Sequence, residues 1–327
     1  MILVTGGAGF LGSNLVAALS ERVGAPIYVS DVIDSDSKEL NLAKHNITDL
    51  IEPTAVLDWL EGEGSKTKMI FHMGATSSTI ERDPNILFEN NVAFSTSLWR
   101  WCTTHNSRMI YASSAATYGN GARGFEDNND PKAIAALEPL NGYGQSKQLF
   151  DIDAIFMSRM GYHPIQWVGL KFFNIYGPNE YHKGNQRSVV AQLYEQISAT
   201  GRARLFRSHH PDYRNGGQLR DFIWVGDCVE VMLWLYETPR ICGIFNCGTG
   251  RARSFADLAR TCFIAMEREE AIDYFDTPKP LRLHYQYFTE ASMNRLLCAG
   301  YDRPFTSLED GVTTYIKDFL LSNDPYR

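Results

Sequence analysis

The chain begins Met1-Ile-Leu-Val-Thr5-Gly-Gly-Ala-Gly-Phe-Leu-Gly12, and the reading of this stretch decides the fold. Met1-Ile-Leu-Val4 is a short apolar strand that runs directly into glycines, and Asn14 to Leu19 follows with the spacing of an amphipathic helix. Gly6, Gly9 and Gly12 set out G-x-x-G-x-x-G, and Gly7 also completes G-x-G-x-x-G. Glycines allow a tight strand-to-helix turn and a close backbone approach to an anion at the helix N-terminus. The pattern is weak alone, but its place after a strand and before a helix points to the pyrophosphate of a dinucleotide. Asp31 ends a second strand, Ile27-Tyr-Val-Ser30, nineteen residues beyond Gly12, where an acid reaches a ribose hydroxyl. The plainer alternative is a structural turn capped by Asp31. Lys38 either meets a ribose 2′-phosphate or is a solvated loop cation.

Working outward, strands are predicted at Met69-Ile-Phe-His72, Met109-Ile-Tyr-Ala112 and Gln166 to Lys171, and helices at Leu87 to Thr104 and about Gly142 to Arg159. Apolar strands alternating with helices imply α/β architecture: a Rossmann-type doubly wound parallel sheet with right-handed crossovers. After Pro178 the rhythm changes. Strands are expected at Asp221 to Val225 and Gly243 to Cys247, and helices at Phe255 to Met266 and Leu308 to Leu320. This predicts a smaller, interleaved C-terminal substrate lobe of residues 174–218 and 249–327. The dinucleotide-binding domain would then comprise residues 1–173 plus about 219–248.

The 327 residues suit one large domain with a lesser lobe, and the 44% hydrophobic content is that of a globular chain. A net charge of −7 argues against nucleic-acid or anionic-membrane partners, while leaving room for a nucleotide held by backbone N–H groups. The six cysteines form no C-x-x-C pair and read as buried reduced thiols, with no metal or disulfide role. No apolar run approaches the ~20 residues of a membrane span, and the glycine turn begins too early for a signal peptide. A cytoplasmic location is the expectation.

Tyr143 and Lys147 stand one helical turn apart in Tyr143-Gly-Gln-Ser-Lys147, on one face of the predicted helix. A free phenol titrates near ~10, so a tyrosine base at neutral pH needs a fall of about three units. One opposite charge at ~4–6 Å supplies about 1–3 units. Lys147 alone barely suffices, and an oxidised nicotinamide, itself cationic, would supply the remainder. Ser114 lies past the C-terminal end of a strand, where ligands of such sheets bind, and can share the substrate proton with Tyr143. Thr117 is a possible second donor.

These motifs bring the first 180 or so residues to a resemblance. The glycine turn, Gly74-Ala-Thr-Ser77, Ser113-Ser-Ala-Ala-Thr-Tyr-Gly119, the Tyr143/Lys147 pair and Asn174-Ile-Tyr-Gly-Pro178 resemble the extended short-chain dehydrogenase/reductases that act on nucleotide sugars. Tyr181-His-Lys-Gly184, Arg220-Asp-Phe-Ile-Trp-Val-Gly-Asp227 and Tyr285-Gln-Tyr-Phe-Thr289 narrow it to the ADP-heptose 6-epimerases. That resemblance runs nearly end to end. It implies Tyr143 and Lys183 as the two acid/base groups and Lys147 as the holder of the nicotinamide ribose. Phe10, Leu11, Asp31, Lys38, Met73, Gly74, Ala75, Thr76, Ser77, Asn90 and Ile175 would line the cofactor, with NADP implied and NAD the alternative. Asn174, Phe206, Arg220 and Tyr285 would meet an ADP-sugar, and a homo-oligomer is implied.

The chain also departs from the pattern. Pro53 stands where a cofactor-side lysine is expected. Asn185 and Gln192, also placed at the substrate, stand where Ser and His are expected. The segment from Arg207 to Gly217 is longer than usual.

Epimerisation by oxidation and re-reduction presents the substrate oxygen on two sides, which gives a second acid/base group a task. Lys183 is the candidate; pairing with a substrate phosphate is its other reading. Sugar dehydratases need an acid pair beside the serine, and here those positions are Ala115 and Ala116, which disfavours elimination. A 4-epimerase, which needs only the tyrosine, stays open. A dinucleotide sensor without catalysis would have no use for the Ser/Tyr/Lys set.

Overall fold

A computed structural model describes residues 1–282 and 285–327. In chain order the strands are β1 (Ile2–Thr5), β2 (Ile27–Ser30), β3 (Asp49–Ile51), β4 (Met69–His72), β5 (Arg108–Ser114) and β6 (Gln166–Phe172). The chain continues with β7 (Asn174–Tyr176), β8 (Ala203–Arg207), β9 (Leu219–Trp224), β10 (Gly243–Cys247), β11 (Ala252–Ser254) and β12 (Ile272–Asp276). Among the described residues, seven strands form one parallel sheet in the order β3-β2-β1-β4-β5-β6-β10. Strands β1, β4 and β6 are buried at every residue, because helices cover both faces of the sheet. One face packs Leu15, Val16 and Leu19 with Val229 and Met232; the other packs Leu98, Trp99, Phe150 and Trp167. This is the doubly wound sheet expected from the sequence.

The second lobe has its own core of Val190, Leu193, Ile197, Leu205, Leu258, Phe263, Val312 and Tyr315. Its strands form a β11-β9-β7 sheet and a parallel β8/β12 pair. The lobes interleave: β7 leaves the main sheet one residue after β6, and β10 returns to it. Strand β9 pairs within the second lobe. The helix Val225–Glu237 that follows it, unforeseen in the sequence, packs against the helix Phe10–Arg22. Strands β3, β8 and β12 and the helix Val189–Thr200 were likewise unforeseen.

The helix expected over Leu87 to Thr104 begins at Pro84 and passes through a wider turn at Glu89–Ala93. The terminal helix widens in the same way at Tyr315–Leu320. All six cysteines are free; Cys102, Cys228, Cys247 and Cys262 are buried, whereas Cys242 and Cys298 are exposed, against the expectation of burial. No helix of the described residues is long and apolar enough to cross a membrane.

Candidate active site

The glycine turn is built for close approach. Gly6 has φ +66°, and a Cβ there would lie 2.5 Å from the Gly74 backbone; one on Gly12 would lie 2.1 Å from the Gly6 carbonyl oxygen. Any side chain at either point would fill the space between the turn and its neighbours. Ala8 and Gly9 donate their N–H groups to Asp31 Oδ2 at 2.9 and 3.0 Å. Lys38 Nζ donates to Asp31 Oδ1 at 3.2 Å and to the Val32 carbonyl at 2.9 Å. Asp31 thus accepts from the N–H groups of the turn, and Lys38 partners it.

The Met73–Ser77 loop flanks this cradle. Gly74 N–H donates to Thr5 Oγ1 at 3.3 Å, and Asn90 Nδ2 donates to Thr76 Oγ1 at 2.9 Å. Buried Asn91, which the sequence reading passed over, accepts from Thr76 N–H at 2.8 Å and donates to Ser146 Oγ at 2.9 Å. It ties the loop to the helix of Tyr143. The cradle, the flanking loop and the helix end together fit a nicotinamide dinucleotide.

At the C-terminal ends of β5 and β6 lies a cavity of about 270 Å³, lined by Ser114, Ala115, Ala116, Tyr143 and Asn174, with Gln286 and Thr289 from the second lobe. A larger cavity of about 390 Å³, between Asn14, Trp224 and Asp227, holds none of these groups. Asn141 caps the helix Gly142–Arg159 by accepting from Gly144 N–H at 2.8 Å, which presents Tyr143 in its first turn. Burial pushes the Tyr143 phenol up, the Ser114 hydroxyl beside it pulls it down, and the Asp151 carboxylate pushes it up again.

Lys147 lies over the Tyr143 ring and makes its hydrogen bond elsewhere. Its ammonium stands 6.0 Å from the centre of the phenol ring and donates to the Ala112 carbonyl at 2.8 Å. Burial lowers it to about 8, against the raising pull of Asp151. Thr117 is turned away from the cavity: it is buried and donates to the Ser114 carbonyl at 2.8 Å, so it is no second donor to a substrate.

Beneath these groups sits an ion pair that sequence reasoning missed. Lys171 Nζ lies 2.9 Å from Asp151 Oδ2, with both side chains buried. Asp151 also accepts from Ser113 Oγ at 2.7 Å and Tyr111 OH at 3.0 Å, and Lys171 donates to Thr117 Oγ1 at 2.5 Å. Asp151 lies one turn past Lys147 on the same helix face, the one signal that pointed to it.

The Tyr181–Gln186 turn carries Lys183. The Lys183 ammonium stands 5.0 Å over the Phe10 ring, and burial lowers its pKa while Glu180 raises it. Lys183 therefore sits against the glycine turn and does not line the Tyr143 cavity. Gln186 donates to Ser78 Oγ at 3.1 Å, joining this turn to the cofactor-side loop. Asn185 and Gln192 lie together, with Gln192 Nε2 donating to the Arg187 carbonyl at 2.8 Å and to the Asn185 carbonyl at 3.4 Å. Ile175 packs at the edge of the main core.

A third group joins Phe206, Arg220 and Tyr285. The rings of Phe206 and Tyr285 are 6.0 Å apart, and the Arg220 guanidinium stands 5.8 Å from Tyr285. Arg220 is 8% exposed, and its donors reach the Leu219 and Gln286 carbonyls. Among the described residues no carboxylate pairs with it. A buried guanidinium with donors to spare suits a diphosphate.

Known proteins are similar to this chain along its whole length. The ADP-L-glycero-D-manno-heptose-6-epimerase of Nitratidesulfovibrio vulgaris (strain DP4) is 48% identical over 328 residues, covering all of both chains. The protein of that name from Fusobacterium nucleatum subsp. nucleatum is 40% identical, again over all of both chains. The crystal structure of Helicobacter pylori ADP-L-glycero-D-manno-heptose-6-epimerase superposes with a TM-score of 0.78 at 27% identity, covering 97% of this chain and 95% of that one. The resemblance seen in the motifs is thereby borne out. With residues 2–248 matching its pattern and full-length relatives beside it, the chain belongs to the NAD dependent epimerase/dehydratase family.

Proposed function

We propose that this protein inverts C6″ of ADP-D-glycero-D-manno-heptose to give the L-glycero epimer, for lipopolysaccharide core assembly in the cytoplasm. One observation carries the reading: Ser114 and Tyr143 share a cavity whose adjoining wall is Ala115 and Ala116, so redox chemistry is provided for and elimination is not. The glycine turn would hold the pyrophosphate of a nicotinamide dinucleotide, which when bound would supply reversible hydride exchange at C6″. The chain's own residues move the proton. Tyr143 accepts it from the 6″-hydroxyl, Ser114 steadies the oxygen, and Asn174 orients the sugar. Lys183 serves the second position of the oxygen, its lowered pKa favouring proton exchange.

NADP is the proposed cofactor. Asp31 is engaged with the N–H groups of the turn, which supports Lys38 as the group that faces a 2′-phosphate. A homo-oligomer is proposed as well. Leu149 and Phe156 are exposed along one helix and Met160 at its C-terminal cap, beside exposed Ile86 and Phe88 on a neighbouring helix. Such a stripe suits helix-on-helix packing with a second copy.

The test is incubation with ADP-D-glycero-D-manno-heptose, with NMR of the product and mass measurement of the nucleotide released on denaturation. Inversion at C6″ without net oxidation, and a mass of NADP, are expected. Inversion at C4 of another nucleotide sugar, with C6″ untouched, would sink the assignment.

A further inference from the structure

The turn that carries Lys183 is tied to the glycine-turn helix before it begins. Residues 178–180 lie along the helix Phe10–Arg22. Asn14 Nδ2 donates to the Pro178 carbonyl at 3.0 Å, and Asn179 Nδ2 donates to Ser13 Oγ at 3.0 Å. Asn179 is buried and holds φ +72°, a left-handed conformation that the surrounding bonds must enforce. Lys183 comes to rest over Phe10, at the start of the same helix.

Glu180 then closes the turn, and the proton transfers proposed above leave it without a task. Its side chain is fully buried, at 0% exposure. One carboxylate oxygen accepts from the Ser188 N–H. The other accepts from Ser188 Oγ at 2.6 Å and from Tyr315 OH at 3.0 Å. The Glu180 carbonyl accepts from the Lys183 N–H at 3.1 Å. Residues 181–187 are thus looped between Glu180 and Ser188, with Tyr315 bracing the join. A carboxylate is costly to bury unless it is hydrogen-bonded and opposed by a cation. Arg187, in the same loop, is committed to Glu195, with Nη2 at 3.0 Å from Oε2. Lys183 is the loop's other cation, and it and Glu180 each favour the charged form of the other.

We propose that Glu180 is a positioning residue for Lys183: by binding both the N–H and the hydroxyl of Ser188, it closes the 181–187 loop and fixes the lysine against the glycine turn. The inference rests on the reading of Lys183 as the second acid/base group and adds what holds it there. A lysine carries its ammonium on a flexible stem, so the backbone that bears it has to be fixed. A misplacement of about 1 Å costs roughly 100-fold in rate.

The experiment is steady-state epimerisation of ADP-D-glycero-D-manno-heptose by the holoenzyme, with kcat and KM read separately in a double-variant cycle. Glu180→Ala is expected to lower kcat by about 30-fold or more, with KM within about threefold of wild type. In a Lys183→Met background the same change should lower kcat by less than about threefold, since its effect passes through the lysine. Glu180→Gln, which can still accept from the Ser188 N–H, should recover most of the lost kcat. Ser188→Ala removes the hydroxyl half of the clamp, and its loss of kcat should likewise vanish in the Lys183→Met background. It carries the test where Glu180→Ala does not fold. Wild-type kcat in the foldable variant would overturn the proposal. An equal loss of kcat in both backgrounds would also overturn it, because Glu180 would then support the fold and not the lysine. Wild-type turnover in Lys183→Met alone would instead remove the second-base reading, and the proposal with it.

Discussion

Tyr143 stands where burial works against the reaction proposed for it. Its phenol is pushed up by desolvation, and the Ser114 hydroxyl is the protein group that opposes this. Tyr143→Phe, which keeps the ring and removes the proton acceptor, is expected to lower kcat by about 10²–10⁴, the usual worth of a positioned base. Lys183→Met is expected to fall in the same range if the lysine serves the second proton; turnover within threefold of wild type would remove it from the chemistry.

Lys147 makes a separate prediction about pH. Its folded value of about 8 lies below its ordinary 10.5, so between these the unfolded chain holds a proton that the folded one has released. Stability from this site therefore rises with pH across that window. By pH 9 the gain is about 1 kcal/mol. Thermal melts of wild type and Lys147→Met at pH 7 and 9 should show the wild type gaining on the variant; a constant difference refutes the assignment.

At the level of elements, the helix Gly142–Arg159 is the organising piece. It carries Tyr143 in its first turn, Lys147 in its second and Asp151 in its third, and Asp151 fastens it to β5 and β6 through Ser113, Tyr111 and Lys171. Removing one member of a buried pair costs about 3–5 kcal/mol, because the other charge is left without compensation. Asp151→Asn is expected to destabilise by that order in urea unfolding, and the double variant Asp151→Asn/Lys171→Met by less than the single. A loss under about 1 kcal/mol for the single variant would contradict the pair's structural weight.

The helix was expected from the sequence over the same residues, and Gly6, Gly9 and Gly12 were legible from their spacing. Strand β3 was not, because only Ile51 of its three residues is buried and no alternation shows. Lys171 was read as an ordinary residue of an apolar run. That its ammonium is buried and paired depends on Asp151 arriving from another element.

For the whole molecule, the exposed apolar stripe of Leu149, Phe156 and Met160 makes a prediction about assembly. Phe156→Asp/Met160→Asp is expected to lower the mass seen by light scattering to that of the 36.9 kDa chain, with a folded spectrum retained. An unchanged mass in the variant, or a wild type already at that mass, would show that this face is not the interface.

The sequence by itself determined the dinucleotide turn and the parallel sheet. Each is a local pattern, a spacing of glycines or of apolar residues that the backbone reads over a few positions. Only the tertiary structure decided that Asp31 accepts from the N–H groups of the turn, that Lys147 bonds to Ala112 and not to the phenol, and that Lys183 rests on Phe10. It alone decided that the 208–217 loop packs on Tyr287, 70 and more residues further along. These are matters of where a polar or aromatic group finds its partner in space, and partners far apart in the chain leave no periodicity to read.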